Sequence, residues 1–343
     1  MPRFVAAPDK FRGTASAPAV AEAAASAARA AGWRTDQVPM ADGGEGTLEA
    51  VGGEVRRTTV AGPLGEPVVA EWRMVPPGAG ATGPTAVVEM ARAAGRDLLP
   101  HPTGDDPVRA DTTGVGQLVV AAVDAGARRV VVGVGGSATT DGGWGAVQAI
   151  GTPQRLGGAE LVVACDVRTP YRQAAAVFGP QKGASPEQVR ELEHRLDHLA
   201  VRYRDELGVD VDRLPGGGAA GGLAGGLAAL GAHLVPGFDL IADLVDLPRR
   251  LRSADLVMTG EGCLDATSFD GKVVGGVIQA VGGRVPVLCI VGAMEPGALK
   301  ALPPEARATV VDLTRSVGTA RARREVVELV AAAVADHLAG FKG

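Results

Sequence analysis

The sequence predicts an α/β fold with a largely parallel sheet. Short Val- and Ile-rich runs recur along the chain, each closed by a Gly- or acid-rich loop. Helical patterns separate several of these runs, the alternation that builds parallel sheets. A hairpin pattern at 58–74 interrupts the alternation and adds antiparallel strands.

Taken in order, the apolar runs are 4–7, 37–40, 86–90, 130–134, 161–165, 256–258, 287–291 and 309–313. They are too short for helices and read as buried strands. Helical patterns occupy 16–31, which is Ala-rich with Glu22 on one face, then 113–126, 141–150, 186–204 and 320–339. The hairpin turns at Gly62-Pro63-Leu64-Gly65. The helix after Pro186 is the most charged region and reads as a solvated face, which also accounts for His194 and His198 four residues apart on it. Trp33 and Trp144 read as packing residues.

A chain of 343 residues is long for one core and predicts about two domains. Hydrophobic residues at 46% exclude a disordered chain, and the 50 glycines fall in no triplet period, which excludes collagen. A net charge of −5 with no long basic run argues against a nucleic-acid partner. Cys165, Cys263 and Cys289 lack any C-x-x-C spacing, so neither a zinc site nor a disulfide framework is expected, and the odd count fits a reducing, cytoplasmic setting. Charges near the start argue against a signal peptide. Residues 216–238 carry no Lys, Arg, Asp or Glu, yet Gly, Ala, His233 and Pro236 make a membrane span a poor reading.

In open α/β sheets, ligands bind beyond the carboxyl ends of the strands. Those ends carry a consistent residue set: Asp9, Lys10 and Arg12 in 8–14; Asp42, Gly43, Gly44 and Glu45 in 41–47; Gly135, Gly136, Ser137, Thr139 and Asp141 in 135–143; Asp166; and Gly260 and Glu261 in 259–262. Glycine lets backbone N–H groups approach an anion. Acids in the same loops would repel phosphate unless Mg²⁺ intervenes, for which carboxylates are the usual protein ligands. Lysine usage points the same way. Of only five lysines, against 29 arginines, Lys10, Lys182 and Lys272 fall in candidate loops, and Lys is a point-charge phosphate ligand. A plainer reading stands beside each: Asp42 and Asp141 as helix caps, Glu89 as a buried, paired acid. Cys263 has no accompanying nucleophile constellation. The P-loop, protein-kinase and G-x-S-x-G motifs are absent.

Seven stretches in order, APDKFRGTASA (7–17), ADGGEGT (41–47), VGGSATTDGG (134–143), VACDV (163–167), VFGPQKGA (177–184), GGGAAGGL (216–223) and TGEGCLDATSFDGK (259–272), resemble the bacterial type I glycerate kinases, or glycerate 2-kinases. The resemblance spans almost the whole chain. It implies ATP- and Mg²⁺-dependent phosphorylation of D-glycerate, most simply to 2-phospho-D-glycerate, with the 3-phospho isomer open, in glycerate and glyoxylate metabolism. It implies two α/β domains: a flavodoxin-like parallel-sheet domain from residues 1–60 and 240–343, and an inserted mixed α/β domain, 61–239, with the active site in the cleft between them. A monomer or homodimer, with no nucleic-acid or membrane partner, is expected.

In that frame the expected catalytic residues are Asp42, Asp166 and Lys182. Asp9, Lys10, Arg12, Gly43, Gly44 and Glu45 are expected to bind substrate. Gly135, Gly136, Ser137, Thr139, Gly260, Glu261 and Lys272 are expected to bind nucleotide, and Asp141 with Asp166 to hold the metal. A carboxylate, Asp42 or Asp166, would orient or deprotonate the acceptor hydroxyl. Three features depart from the family pattern: a shortened 151–160 connection, a shortened loop after Asp166, and Cys263 where relatives often carry Arg. They keep open a kinase of another small hydroxy or sugar acid, or a non-catalytic ligand-binding regulator on the same fold.

Overall fold

The computed structural model describes residues 1–77 and 82–341. Its strands, in chain order, are Arg3–Ala6 (β1), Arg34–Gln37 (β2), Glu54–Ala61 (β3), Pro67–Val75 (β4), Thr85–Glu89 (β5), Arg129–Gly133 (β6), Glu160–Ala164 (β7), His233–Val235 (β8), Leu256–Leu264 (β9), Val287–Met294 (β10) and Ala308–Asp312 (β11). They form a five-stranded sheet, β11-β10-β9-β1-β2, and a six-stranded sheet, β3-β4-β5-β6-β7-β8. The five-stranded sheet is parallel throughout. The six-stranded sheet is mixed, antiparallel from β3 to β5 and parallel from β5 to β8.

The chain divides into two compact units: residues 1–42, 49–51 and 238 onward in the first, and 43–48 with 52–237 in the second. β3 pairs with β4 over its whole length, so residues 54–60 lie with the six-stranded sheet, where the sequence reading keeps them with the first. Among the described residues no helix is long and apolar enough to cross a membrane.

The first unit shows why its strands read as unbroken apolar runs. Helices cover both faces of a parallel sheet, so alternate residues enter different cores. Phe4 and Ala6 pack with Leu256, Met258, Leu288 and Ile290 against the helices Ala17–Ala30 and Val326–Ala339. Val5 packs with Val257, Val287, Cys289 and Val291 against Val273–Val281. The Ala17–Ala30 helix opens with Ser16 accepting from Ala19 N at 3.4 Å and with proline in its first turn.

The second unit has one core, between its sheet and the helices Thr113–Asp124, Trp144–Ile150 and Pro186–Leu207. The last is charged outside and buries Leu192, Leu196, Leu199, Ala200 and Tyr203 inside. Ser185 and Gln188 form a reciprocal capping box at its start, and Gly208 (φ 73°) ends it.

Strand β2 is the polar, partly exposed Arg34–Gln37 and ends where the run read at 37–40 begins, and three further boundaries differ from the sequence reading. Strand β9 runs on through Thr259-Gly260-Glu261-Gly262, read as a loop, because Gly260 pairs so closely with β10 that a Cβ there would lie 1.9 Å from Ile290 O. The 320–339 helix breaks at Glu325, whose φ of −122° leaves the helical region. The 141–150 helix starts at Trp144, since Gly142 and Gly143 both hold positive φ.

Residues 216–223 are a close-packed, glycine-lined approach. Gly221 has φ +69°, and a Cβ there would meet Thr139 O at 2.1 Å. Gly208 has φ +73° with open space around it. Gly208→Ala is therefore expected to cost about 1–2 kcal/mol from the left-handed conformation alone. Gly221→Ala adds a backbone collision and is expected to cost more than Gly208→Ala; equal urea midpoints for the two variants would show that the approach is not close in solution.

Candidate active site

Numbered within its own unit, the five-stranded sheet has the order 2-1-3-4-5, and its direction of winding reverses between β1 and β9. Such a switch point leaves a crevice beyond the strand ends. A cavity of about 450 Å³ lies there, lined by Asp9, Lys10, Arg12 and Thr14 after β1, by Asp42 after β2, by Glu261 and Cys263 at the end of β9, and by Lys272. Sequence-predicted residues from four separated segments thus meet in one place.

The backbone sets their positions. Ala7 N donates to Met258 O at 2.7 Å and Asp9 N to Gly260 O at 2.9 Å, so the chain leaving β1 stays laced to β9. Thr259 Oγ1 donates to Ala7 O at 2.9 Å beneath them. Asp9 Oδ1 accepts from Lys10 N at 2.7 Å, and Lys10 Nζ lies 3.9 Å from it. Lys272 Nζ lies 3.7 Å from Asp265 and donates to Thr267 Oγ1.

The acids are incompletely neutralised. Burial pushes the Asp9 carboxyl up to about 6; Lys10 pulls it down and Asp42 pushes it further up. Burial pushes Glu261 up to about 7, opposed by the Ser268 hydroxyl and Lys272, and assisted by Asp9 and Asp265. Glu261 Oε1 is buried without a hydrogen-bond partner. A cation near these groups would satisfy that oxygen and relieve the mutual repulsion.

The remaining predicted residues, Gly260 apart, lie in the second unit, and several of the glycines sit at close backbone contacts. Gly43 (φ +85°) and Gly44 press on the loop after β6: a Cβ on Gly133 would lie 2.3 Å from Gly43 O, and one on Gly135 would lie 2.6 Å from Gly44 Cα. These glycines let two backbones touch. Gly260 in the first unit does the same job against β10. Gly136 (φ +72°) turns the loop, and Ser137 bridges to Gly95. Glu45 is exposed.

Asp141, expected as a metal ligand, is buried and accepts four hydrogen bonds. Oδ2 accepts from Thr112 N, Thr112 Oγ1 and Gly145 N at 2.9, 2.7 and 3.0 Å, and Oδ1 from Gly143 N at 3.1 Å. Four donors thus hold the buried carboxylate, three on Oδ2 and one on Oδ1, the arrangement its plainer reading as a cap calls for. Glu89 follows its plainer reading: it accepts from Leu48 N at 3.0 Å and pairs with Arg92 at 3.0 Å. Asp166 is exposed and accepts from Gly237 N at 2.7 Å. Lys182 is buried, donating to Thr139 O and to Thr140 Oγ1. Thr139 Oγ1 is buried without a partner.

The sequence reading missed Thr14, Thr314, Thr319 and Arg323, all of which line the switch-point cavity. Arg323 sits in a helix of arginines, where flanking Arg321 and Arg324 both pair with Glu325. No loop, glycine or acid marks it in sequence. Tyr171 was also overlooked, in the shortened loop after Asp166. It is fully buried and, like Tyr203, donates its hydroxyl to Gly142 O at 2.9 Å.

Comparison with known proteins now bears on this geometry. The family model described as the glycerate kinase family matches residues 4–154 and 151–339. The glycerate 2-kinase of Escherichia coli K12 is 38% identical over 331 residues, covering 85% of each chain. The glycerate kinase of Halalkalibacterium halodurans is 38% identical over 338 residues, covering 87% of each. The crystal structure of a protein assigned as glycerate kinase 2 in Salmonella typhimurium LT2 superposes with a TM-score of 0.81 at 34% identity, covering 99% of both chains. A discontinuous 2-1-3-4-5 unit, a mixed-sheet unit between its parts, and matches over nearly the full length lead to one conclusion: the chain belongs to the glycerate kinase family.

Proposed function

We propose that the protein is an ATP- and Mg²⁺-dependent kinase that phosphorylates D-glycerate on its 2-hydroxyl. One observation carries the phosphoryl-transfer reading. Asp9, Asp42 and Glu261 share a switch-point cavity with Lys10, Arg12 and Lys272, and one buried acid oxygen there lacks a partner. The names of the relatives supply the acceptor, and the Escherichia coli relative supplies its 2-position.

The donor set fits Mg²⁺. Among the described residues no group of three or more His, Cys, Asp or Glu side chains forms a metal cage. Mg²⁺ seldom uses one; it takes one or two carboxylates and completes its shell with phosphate oxygens and water. Asp9 and Glu261 are the carboxylates proposed to hold it. When bound, it would neutralise charge on the phosphate oxygens.

The protein's own residues then position and compensate. Lys10, Arg12 and Lys272 place positive charge where phosphate oxygens would lie, which favours the more dispersed negative charge of the transition state. The acceptor hydroxyl oxygen forms a bond to the γ-phosphorus, the bond from that phosphorus to the bridging oxygen breaks, and ADP leaves. The hydroxyl proton goes to a carboxylate, for which Asp42 and Asp166 are the proposed acceptors. Lys182 is proposed to face the acceptor's anionic end.

The test is ADP release with Mg²⁺-ATP and D-glycerate, with the product offered directly to enolase. Enolase conversion is the expected result. ADP release without conversion would move the phosphoryl group to the 3-position, and no ADP release with glycerate or any other hydroxy acid would overturn the kinase reading. Asp166→Asn keeps an acceptor for Gly237 N and removes the base, so it is expected to lower turnover roughly 100-fold or more with little change in thermal midpoint. Near-normal turnover removes Asp166 from the mechanism.

The raised acids also predict a pH dependence of stability. Folded Asp9 and Glu261 hold protons up to about 6 and about 7, whereas unfolded carboxyls lose them near 4. The folded state therefore binds more protons in that interval, and stability falls as pH rises from about 4 through about 7. Asp9→Asn with Glu261→Gln is expected to flatten this part of the profile. Added Mg²⁺ with ADP is expected to raise the neutral-pH midpoint of the unsubstituted protein and not that of the double variant.

A further inference from the structure

We propose that a second cavity, wholly within the second unit, is a binding site for a small oxyanion, carboxylate or phosphate, gripped between Arg96 and Lys182. The cavity holds about 460 Å³. Both cations line it, as do Pro100, Pro102 and Pro180.

The segment that carries Arg96 and the Lys182 side chain are both tied to one loop. Arg96 N donates to Gly136 O at 2.9 Å, and Ala138 N returns a bond to Ala94 O at 2.9 Å, so the Arg96 segment is laced to residues 136–138. Lys182 reaches the far end of the same loop through Thr139 O and Thr140 Oγ1. Those two contacts use two of the three ammonium donors and leave one. The Arg96 guanidinium, half-buried on the cavity wall, makes no hydrogen bond or ion pair among the described residues, so its donors are unspent.

Electrostatics point the same way. Lys182 is 5% exposed. Burial holds its ammonium down at about 7; Asp141 pulls the other way, and Arg96 adds like-charge repulsion. Two basic side chains line one hollow with donors to spare, and a small anion there would hold Lys182 in its charged form. The proline rings in the lining stiffen it, which lowers the entropy cost of holding a small ligand. Asp97 is exposed and lines the same cavity, so it opposes anion entry from the solvent side.

That the oxyanion is the carboxylate of the phosphoryl acceptor rests on the kinase reading above; that the cavity takes an oxyanion does not. The experiment titrates D-glycerate, inorganic phosphate and uncharged glycerol, each separately, into the full chain by calorimetry. It compares the unsubstituted protein with Arg96→Ala, Arg96→Lys, Lys182→Met and Asp97→Asn, and checks folding by circular dichroism. The expected result is Arg96-dependent binding of D-glycerate, weakened roughly 10- to 100-fold in Arg96→Ala, partly restored in Arg96→Lys and tightened in Asp97→Asn, with no glycerol binding. In turnover, KM for glycerate is expected to rise in Arg96→Ala while KM for ATP holds. Phosphate binding that depends on Arg96, with glycerate binding that does not, would overturn the acceptor assignment and keep the oxyanion site. Folded Arg96→Ala and Lys182→Met proteins that bind both anions as well as the unsubstituted chain would overturn the site itself. A protein that phosphorylates neither glycerate nor any other hydroxy acid, yet binds phosphate through Arg96, would refute the kinase reading alone.

Discussion

Parallel pairing of β1 with β9 is the constraint on which the candidate site depends. The two strands are far apart in sequence, yet Phe4, Val5 and Ala6 sit opposite Leu256, Val257 and Met258. From that register the ends diverge. β1 stops at Ala6, and the chain turns through Pro8, while β9 runs on beside β10 to Leu264. The overhang carries Glu261, and the turn beside it carries Asp9 and Lys10. A one-residue slip would exchange the two faces of β1, placing Phe4 and Val5 in each other's cores. The acids are therefore positioned by the same apolar alternation that stabilises the sheet.

The second unit organises its loops around a buried carboxylate. Asp141 gathers Thr112, Gly143 and Gly145, and Thr112 Oγ1 donates to it while accepting from Ala146 N at 3.0 Å. Tyr171 and Tyr203 both close on Gly142 O from other elements. An acid this enclosed has its carboxyl pushed up by burial and pulled back by its four donors. Removing it would strand those donors without water to replace them, so this residue acts by fixing the loop that Arg96 and Lys182 flank.

Much of the fold was legible because the pattern is regular. The buried strands showed as short Val-rich runs, the hairpin showed at 58–74 around a Gly-Pro turn, and the charge of the helix after Pro186 marked its solvated face. Site composition was partly legible too: Asp9, Lys10, Arg12, Asp42, Glu261 and Lys272 do share a cavity. What sequence hid was the purpose of the glycines. Phosphate cradles and tight backbone packing call for the same residue, and only the neighbours reveal that Gly43, Gly133, Gly135 and Gly260 lie where two backbones touch. Arg323 and Arg96 were hidden for a different reason. Each lies in or beside a short helical turn with no motif around it, and only tertiary structure brings it to a cavity.

The placement of β1 has a consequence for biosynthesis. As the chain emerges, β1 has β2 on one side within a few dozen residues, but its other edge waits for β9, which begins at Leu256. At ~5–20 residues per second that delay is on the order of 10–45 s. During it, Phe4 and Val5 belong to an unfinished sheet with an open edge, and the second unit, whose 52–237 segment is contiguous, is complete before the first can close. The nascent chain therefore presents a finished domain tethered to a sticky, half-built one, the kind of intermediate that chaperones shield and that exposed edges turn toward aggregation.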